Sequence, residues 1–188
     1  IFAAHPWLTG PEDSYLGQSQ LGGGACGEHS HAISLWQHFA RCLGAGDVEE
    51  VLAHLDMIRG PGIHYDQTAN LVLVTSSGLA GSVTQDVVSA PPTKMARIQG
   101  DKGFIEWYAA AEEGDDLVIF KAENAAPVRE QFPRSRPDDF VGEIDHVEKL
   151  LSGDELLSPI SLEYGAKTMT VVSAAHQSSS LRKSIRIS

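Results

Sequence analysis

The sequence predicts an α+β fold: an open, mostly antiparallel β-sheet with helices on one face. Three observations carry that expectation. A hydrophobic period of two runs through residues 48–132, with short turns and no helical pattern inside it. One amphipathic helix precedes that stretch and two follow it. The strand–helix–strand alternation that builds a doubly wound parallel sheet does not occur. Residues 1–188 are read as one domain, without internal repeats or low-complexity segments.

The elements follow in order. Residues 1–21 are irregular, with breakers at Pro6, Gly10-Pro11 and Gly17 and a strand end at 1–4. A helix is expected over 30–43, where Ala32, Leu35, Trp36, Phe39, Ala40 and Leu43 form one apolar stripe and Gly44 and Gly46 supply the stop. Cys42 sits within that apolar stripe and reads as a small core residue. Val51, Ala53, Leu55 and Met57 alternate with Glu50, His54 and Asp56, a strand with one wet face. Residues 71–74 are apolar on both faces, and Ser76-Ser77-Gly78 turns them into a strand carrying Val83 and Val87. Strands at 95–98 and 104–108 flank the turn "GDKG" at 100–103, and 117–120 is another strand. A helix over 138–151 has the stripe Phe140, Ile144, Val147 and Leu151. A helix over 159–180 is capped by Ser158, with Pro159 in its first turn and Leu162, Ala166, Met169 and Val172 inside. Residues 185–187 close with a short strand.

Composition narrows the function. The chain is 42% hydrophobic and 21% charged, ordinary for a globular protein. Fourteen basic against 25 acidic residues give a net charge of −11, which argues against nucleic acid and against an anionic membrane surface. The basic clusters, Arg134/Arg136 and Arg182/Lys183/Arg186, are short. No apolar run approaches the roughly 20 residues of a membrane span. Two cysteines without a C-x-x-C pair suggest a reducing, cytoplasmic setting. The chain opens Ile-Phe-Ala-Ala-His-Pro without an initiator Met and reads as a segment of something longer.

The chemistry concentrates in "GGGACGEHSHAISLW", residues 22–36. Gly22, Gly24 and Gly27 satisfy G-x-G-x-x-G, a dinucleotide fingerprint. That fingerprint needs a hydrophobic strand before it and a βαβ unit around it, and neither is visible. The glycines read better as letting the backbone or a following helix pass close to something. His29 and His31 form H-x-H, to which His5, His64 or Cys26 would add metal ligands. Residues two apart at a helix start diverge, however, and no second ligand pair appears, so no metal is expected. An acid/base reading remains. His31 lies in a first helical turn, where the positive end of the macrodipole favours a neutral, proton-accepting imidazole. Glu28 is placed to orient that ring, and His29 borders the same space. Cys26, among the glycines, is a candidate reactive thiol.

This stretch resembles the segment of the glucose–fructose oxidoreductase/inositol dehydrogenase family (Gfo/Idh/MocA) that reads GGG, an acid, then H-x-[IL]-D before a helix. Here it stands as Gly22-Gly23-Gly24, Glu28 and His31-Ala32-Ile33-Ser34. "YDQTANLVLVTSSGLAGSV" (65–83), "ARIQGDKGFIEW" (96–107), "FVGEIDHVEKLLSG" (140–153) and "VSAAHQSSS" (172–180) are similar to later family segments in the same order. The resemblance implies the C-terminal domain of a two-domain NAD(P)-dependent oxidoreductase acting on a sugar, inositol or related polyol. The cofactor, NAD or NADP, would be held by an N-terminal Rossmann domain, and neither that domain nor its E-K-P motif occurs in this chain. The resemblance also implies that the open sheet supplies a homo-oligomer interface. It makes His31 the acid/base residue. Glu28 stands near the family's Asp with one residue fewer before the His, and Ser34 replaces the later Asp. Tyr65 is implied as a pocket residue. Two other readings stay open: a non-catalytic dimerising module that binds a carbohydrate or a partner, and a metal-dependent hydrolase.

Overall fold

The computed structural model describes residues 1–3, 14–112, 114–135, 137–154 and 158–187. The turn signals at Pro6 and Gly10-Pro11, the candidate ligand His5, and Arg136 lie outside them. Contacts divide the chain into two compact units, Ile1–Pro92 with Ile160–Ser188, and Thr93–Pro159.

The first unit holds β1 (Phe2–Ala3), α1 (Gly24–Glu28), α2 (His31–Cys42), β2 (Val48–Gly60), β3 (Ile63–Thr75), β4 (Ala80–Asp86), α4 (Leu162–Leu181) and β9 (Ile185–Arg186). The strands lie in the order β1-β4-β3-β2-β9, antiparallel except for the parallel pair β1–β4. Alternation sends Val51, Leu55, Ala69, Leu71, Leu73 and Val83 to one face. There they are buried with Ile33 of α2 and Val171, Ala174 and Ala175 of α4. Among the described residues of this unit, no helix covers the other face. Leu52 and Val72, cross-strand partners, are 47% and 45% exposed there. Residues 71–74 are apolar on both faces as expected, but only Leu71 and Leu73 are buried, while Val72 is exposed.

The helices start and stop near their expected positions, but their buried faces differ. In α2 the buried residues are Ala32, Ile33, Gln37 and Ala40, whereas Leu43 and Cys42 are exposed. Gln37 goes inside because Thr168 of α4 donates a 2.9 Å hydrogen bond to its side-chain oxygen. The Arg41 guanidinium adds to the α2–α4 contact, 3.9 Å over the Tyr164 ring.

In α4 the cap is Ser161, which accepts from the Tyr164 N–H, while Ser158 bonds His146. The buried face is Thr168, Val171, Ala174, Ala175 and Ser178, and Leu162 and Met169 are exposed. The reason is the edge of β2. Strand β9 pairs only with Glu50 and Val51. Beyond it, Ser178 Oγ accepts from the Ala53 N–H at 2.9 Å and Ser179 Oγ accepts from the Leu55 N–H at 3.0 Å. The helix is rolled so that its hydroxyls satisfy the exposed strand edge.

The second unit holds β5 (Thr93–Gly100), β6 (Gly103–Glu112), β7 (Asp115–Ala122), β8 (Val128–Phe132) and α3 (Asp138–Ser152). The strands form an antiparallel meander, with the hairpin at Gly100↔Gly103 where "GDKG" predicted it. Strand β8 is one more than the sequence defined singly. Helix α3 has the expected bounds, with Asp138 and Asp139 in its first turn and Gly153 as a left-handed C-cap. None of its described residues is buried, and Phe140, Ile144, Val147 and Leu151 are between 41% and 85% exposed. Its apolar stripe is real in sequence and uncovered in this unit. No helix among the described residues is long and apolar enough to cross a membrane.

Ser178 tests the edge argument. Its hydroxyl also donates to the Lys183 carbonyl at 2.6 Å and is fully buried. Ser178→Ala is expected to lower unfolding free energy by about 1–3 kcal/mol, because a partly buried N–H loses its acceptor. Thr170→Ala, at an exposed hydroxyl bonded to the Ala166 carbonyl, is expected to stay within about 0.5 kcal/mol. Urea unfolding of both variants checks the difference.

Candidate functional site

The glycine-rich stretch forms a turn, the five-residue α1, a two-residue link and the start of α2. What fixes it comes from β3. Asp66 is fully buried, and its Oδ2 accepts from the Cys26 N–H at 2.6 Å, the position an N-capping side chain would fill for α1. The capping position itself is Gly23, which has no side chain to do this. Burial pushes the Asp66 carboxyl above its ordinary range, while the Cys26 N–H and nearby His176 pull the other way.

The glycines are the counterpart of that carboxylate. At Gly24, φ is +85° and a Cβ would lie 2.3 Å from Asp66 Oδ1. At Gly27 a Cβ would lie 2.4 Å from the Gly22 carbonyl oxygen. The fingerprint glycines therefore close the backbone around a carboxylate. A dinucleotide pyrophosphate would have to occupy the space Asp66 fills, and two 3₁₀ turns, not a core strand, precede the loop. These residues do not fit a nicotinamide dinucleotide.

Glu28 ends α1, half-buried, and accepts from the Tyr15 hydroxyl at 2.9 Å. That bond is the main cause of a raised Tyr15 phenol. His31 is the first residue of α2 and is exposed. Glu28 and His31 thus stand on either side of the helix junction, joined by His29 and Ser30, whose amides bond the carbonyls of Ala25 and Gly27. His29 is 8% exposed. Tyr65 is half-buried on β3. It is the neighbour of Asp66, whose side chain reaches α1.

The Cys26 thiol is fully buried and pushed up by that burial, then by Asp66, which makes it a core group and not a reactive thiol. The expectation for the two cysteines is therefore inverted: Cys26 is core and Cys42 is exposed. Among the described residues, no three His, Cys, Asp or Glu side chains come together to hold a metal ion. A groove of about 1070 Å³ follows β2, lined in part by His54, Arg59, His64, His176 and Arg182. Glu28, His29, His31 and Tyr65 do not line it.

Sequence reasoning missed Asp66, Gln85 and Tyr15. Asp66 sits beside a bulge, where Asp56 faces Thr68 and Met57 faces Asp66. One extra residue hides the core parity of an otherwise polar run. Gln85 is buried with its side-chain N–H donating to the Cys26 carbonyl at 3.3 Å, and no apolar pattern marks it.

The model of the GFO/IDH/MocA C-terminal domain matches residues 1–106, and the chain belongs to that family. No curated protein matches it in sequence. Among solved structures, it resembles the aldose-aldose oxidoreductase from Caulobacter crescentus complexed with glycerol (TM-score 0.76, 19% identity, 99% of this chain, 54% of that one). It resembles levoglucosan dehydrogenase in complex with NADH and levoglucosan (TM-score 0.78, 16% identity, 99% and 57%). A third likeness is a putative NADPH-dependent oxidoreductase from Desulfitobacterium hafniense (TM-score 0.75, 14% identity, 98% and 54%). The chain spans little more than half the length of these proteins, and the likeness establishes the fold.

The steric account of the loop separates two glycines. Gly22 also has a positive φ, +91°, but nothing within 4 Å of its would-be Cβ. Gly22→Ala is expected to cost about 1–2 kcal/mol of backbone strain. Gly24→Ala should cost that and at least about 1–3 kcal/mol more for the clash with Asp66. Equal thermal shifts for the two variants would contradict a packed carboxylate at Gly24.

Proposed function

We propose that this chain is the substrate-binding and assembly domain of an NAD(P)-dependent oxidoreductase acting on a sugar, inositol or related polyol. His31 would be the acid/base group, with Glu28 beside it. The observation that carries this reading is the chain-long fold likeness to oxidoreductases combined with an exposed imidazole at the α1–α2 junction.

Oxidising a carbinol removes a hydride from carbon and a proton from oxygen. The proton is this chain's part. An exposed imidazole at a helix start is free to meet a hydroxyl, and a carboxylate three residues earlier stabilises the charge it acquires. The Tyr15 bond holds Glu28 in one orientation. Substrate contact is assigned first to these two, then to Tyr65, half-buried on β3, and to His29, which is nearly buried. A nicotinamide would supply the hydride acceptor. Because the loop at Gly22–Gly27 has no room for its pyrophosphate, we assign the dinucleotide to a part of the enzyme outside residues 1–188.

Assembly is assigned to the uncovered sheet faces. Leu52 and Val72 form an apolar pair in the first unit. Ile105, Phe120 and Val128, cross-strand neighbours, form a stripe in the second, each 44% exposed or more. Apolar stripes of this kind favour burial against a second copy of the chain. Two free thiols suit a reducing, cytoplasmic compartment.

In the complete oxidoreductase, His31→Ala is expected to lower turnover by about 10²–10⁴-fold, the range of general acid–base groups. Glu28→Gln should lose less. Steady-state kinetics on a panel of sugars and polyols read both; a His31→Ala enzyme with full turnover removes the imidazole from the chemistry.

A further inference from the structure

We infer that Asp66 and Gln85 are positioning residues for the Glu28–His31 segment, acting through the backbone of Cys26. The inference deepens the proposed acid/base role and rests on it for its effect on turnover, though not for its effect on structure.

Cys26 is held at both of its backbone polar groups by side chains from two neighbouring strands. Asp66 on β3 takes its N–H at 2.6 Å, and Gln85 on β4 donates to its carbonyl at 3.3 Å. Both side chains are fully buried. In a helix the N–H and the carbonyl of one residue point to opposite ends of the axis. A grip on both therefore prevents α1 from sliding either way along its axis.

Such a helix needs the grip. Five residues form too few internal hydrogen bonds to hold a helix by themselves. Its own N-cap is a glycine without a side-chain bond. From Cys26 the connection to the site is short and bonded throughout. Glu28 is the last residue of α1. The His29 amide bonds Ala25, the Ser30 amide bonds Gly27, and the Ala32 amide bonds His29 as α2 begins. A displaced Cys26 moves Glu28 and His31 with it.

The grip is also uneconomical as packing. Among the described residues, Asp66 Oδ1 and Gln85 Oε1 are buried with no hydrogen-bond partner. A fold selected for stability alone would put apolar side chains at both positions, since burying an unpaired acceptor is unfavourable. Two orphaned acceptors, both on the side chains that hold one residue's backbone, are what remains when the direction of that residue matters more than stability.

The test compares three variants of the full-length protein by amide hydrogen exchange. Asp66→Leu and Gln85→Met keep the volume and remove the bonds to Cys26. Asp66→Asn keeps an oxygen to accept the Cys26 N–H and serves as the rescue. The expected result is exchange at the amides of residues 26–31 faster by about tenfold or more in Asp66→Leu and in Gln85→Met. The amides of β2 and β3 should stay within about twofold of the parent, and Asp66→Asn should stay near the parent throughout. The same two variants should lose kcat with little change in KM, and Asp66→Asn should retain it. Unchanged exchange at 26–31 in whichever of Asp66→Leu and Gln85→Met folds, or a uniform rise across all amides, overturns the inference. Exchange is read without substrate. Local loosening together with full turnover, in these variants and in His31→Ala, therefore leaves the grip standing and removes the acid/base reading instead.

Discussion

The first unit depends on one carboxylate placed where water cannot reach it. Asp66 enters the core from β3 and ends on the Cys26 amide, at the start of α1. The rest of that corner follows. The chain must pass within contact distance of the carboxylate, which excludes a side chain at Gly24. The turn must reverse tightly enough for Gly27 to touch the Gly22 carbonyl. Helix α2 then starts after a link of two residues, His29 and Ser30, and His31 falls on its first, exposed position. A motif that looks like a phosphate loop is thus a loop closed around an anion the protein already owns.

A second constraint shapes the opposite side of the same unit. Strand β9 is too short to cover β2, and an uncovered strand edge invites unwanted pairing. Helix α4 answers with Ser178 and Ser179, and its whole orientation follows from them. Its interior face becomes Thr168, Val171, Ala174, Ala175 and Ser178, small residues that let the helix lie close to the sheet. The large apolar residues Leu162 and Met169 are left outside.

These constraints explain which features were legible in the sequence. Local signals were. The hairpin at Gly100↔Gly103, the bounds of α3 with its acidic first turn and Gly153 cap, and the alternation of β2 each depend on neighbours in the chain. The family likeness was legible through the order of several loose motifs, and the residue 1–106 match supports it. Features set by distant partners were not. Hydrophobic period placed Cys42 inside, where the structure leaves it exposed, and gave no sign of Gln37, which is buried against Thr168, 131 residues away. Period also gave α3 an apolar stripe, whose residues the structure leaves exposed. At the site, Glu28 and His31 stood out because they are polar residues among glycines. Asp66 and Gln85 did not, since a polar residue in a half-wet strand is unremarked until a bulge turns it inward.

The central claim is that a buried, Cys26-bonded carboxylate organises the glycine-rich loop. Its most direct test is a carbon-13 NMR titration of the Asp66 carboxyl, read together with the Cys26 amide proton. The account requires Asp66 to titrate above the ordinary aspartate value of about 3.9, because burial disfavours its charged form. The Cys26 amide shift should follow with the same midpoint, and the amides of β2 should not. An Asp66 that titrates at the ordinary value, with a Cys26 amide indifferent to pH, would mean a solvated side chain and would contradict the whole arrangement.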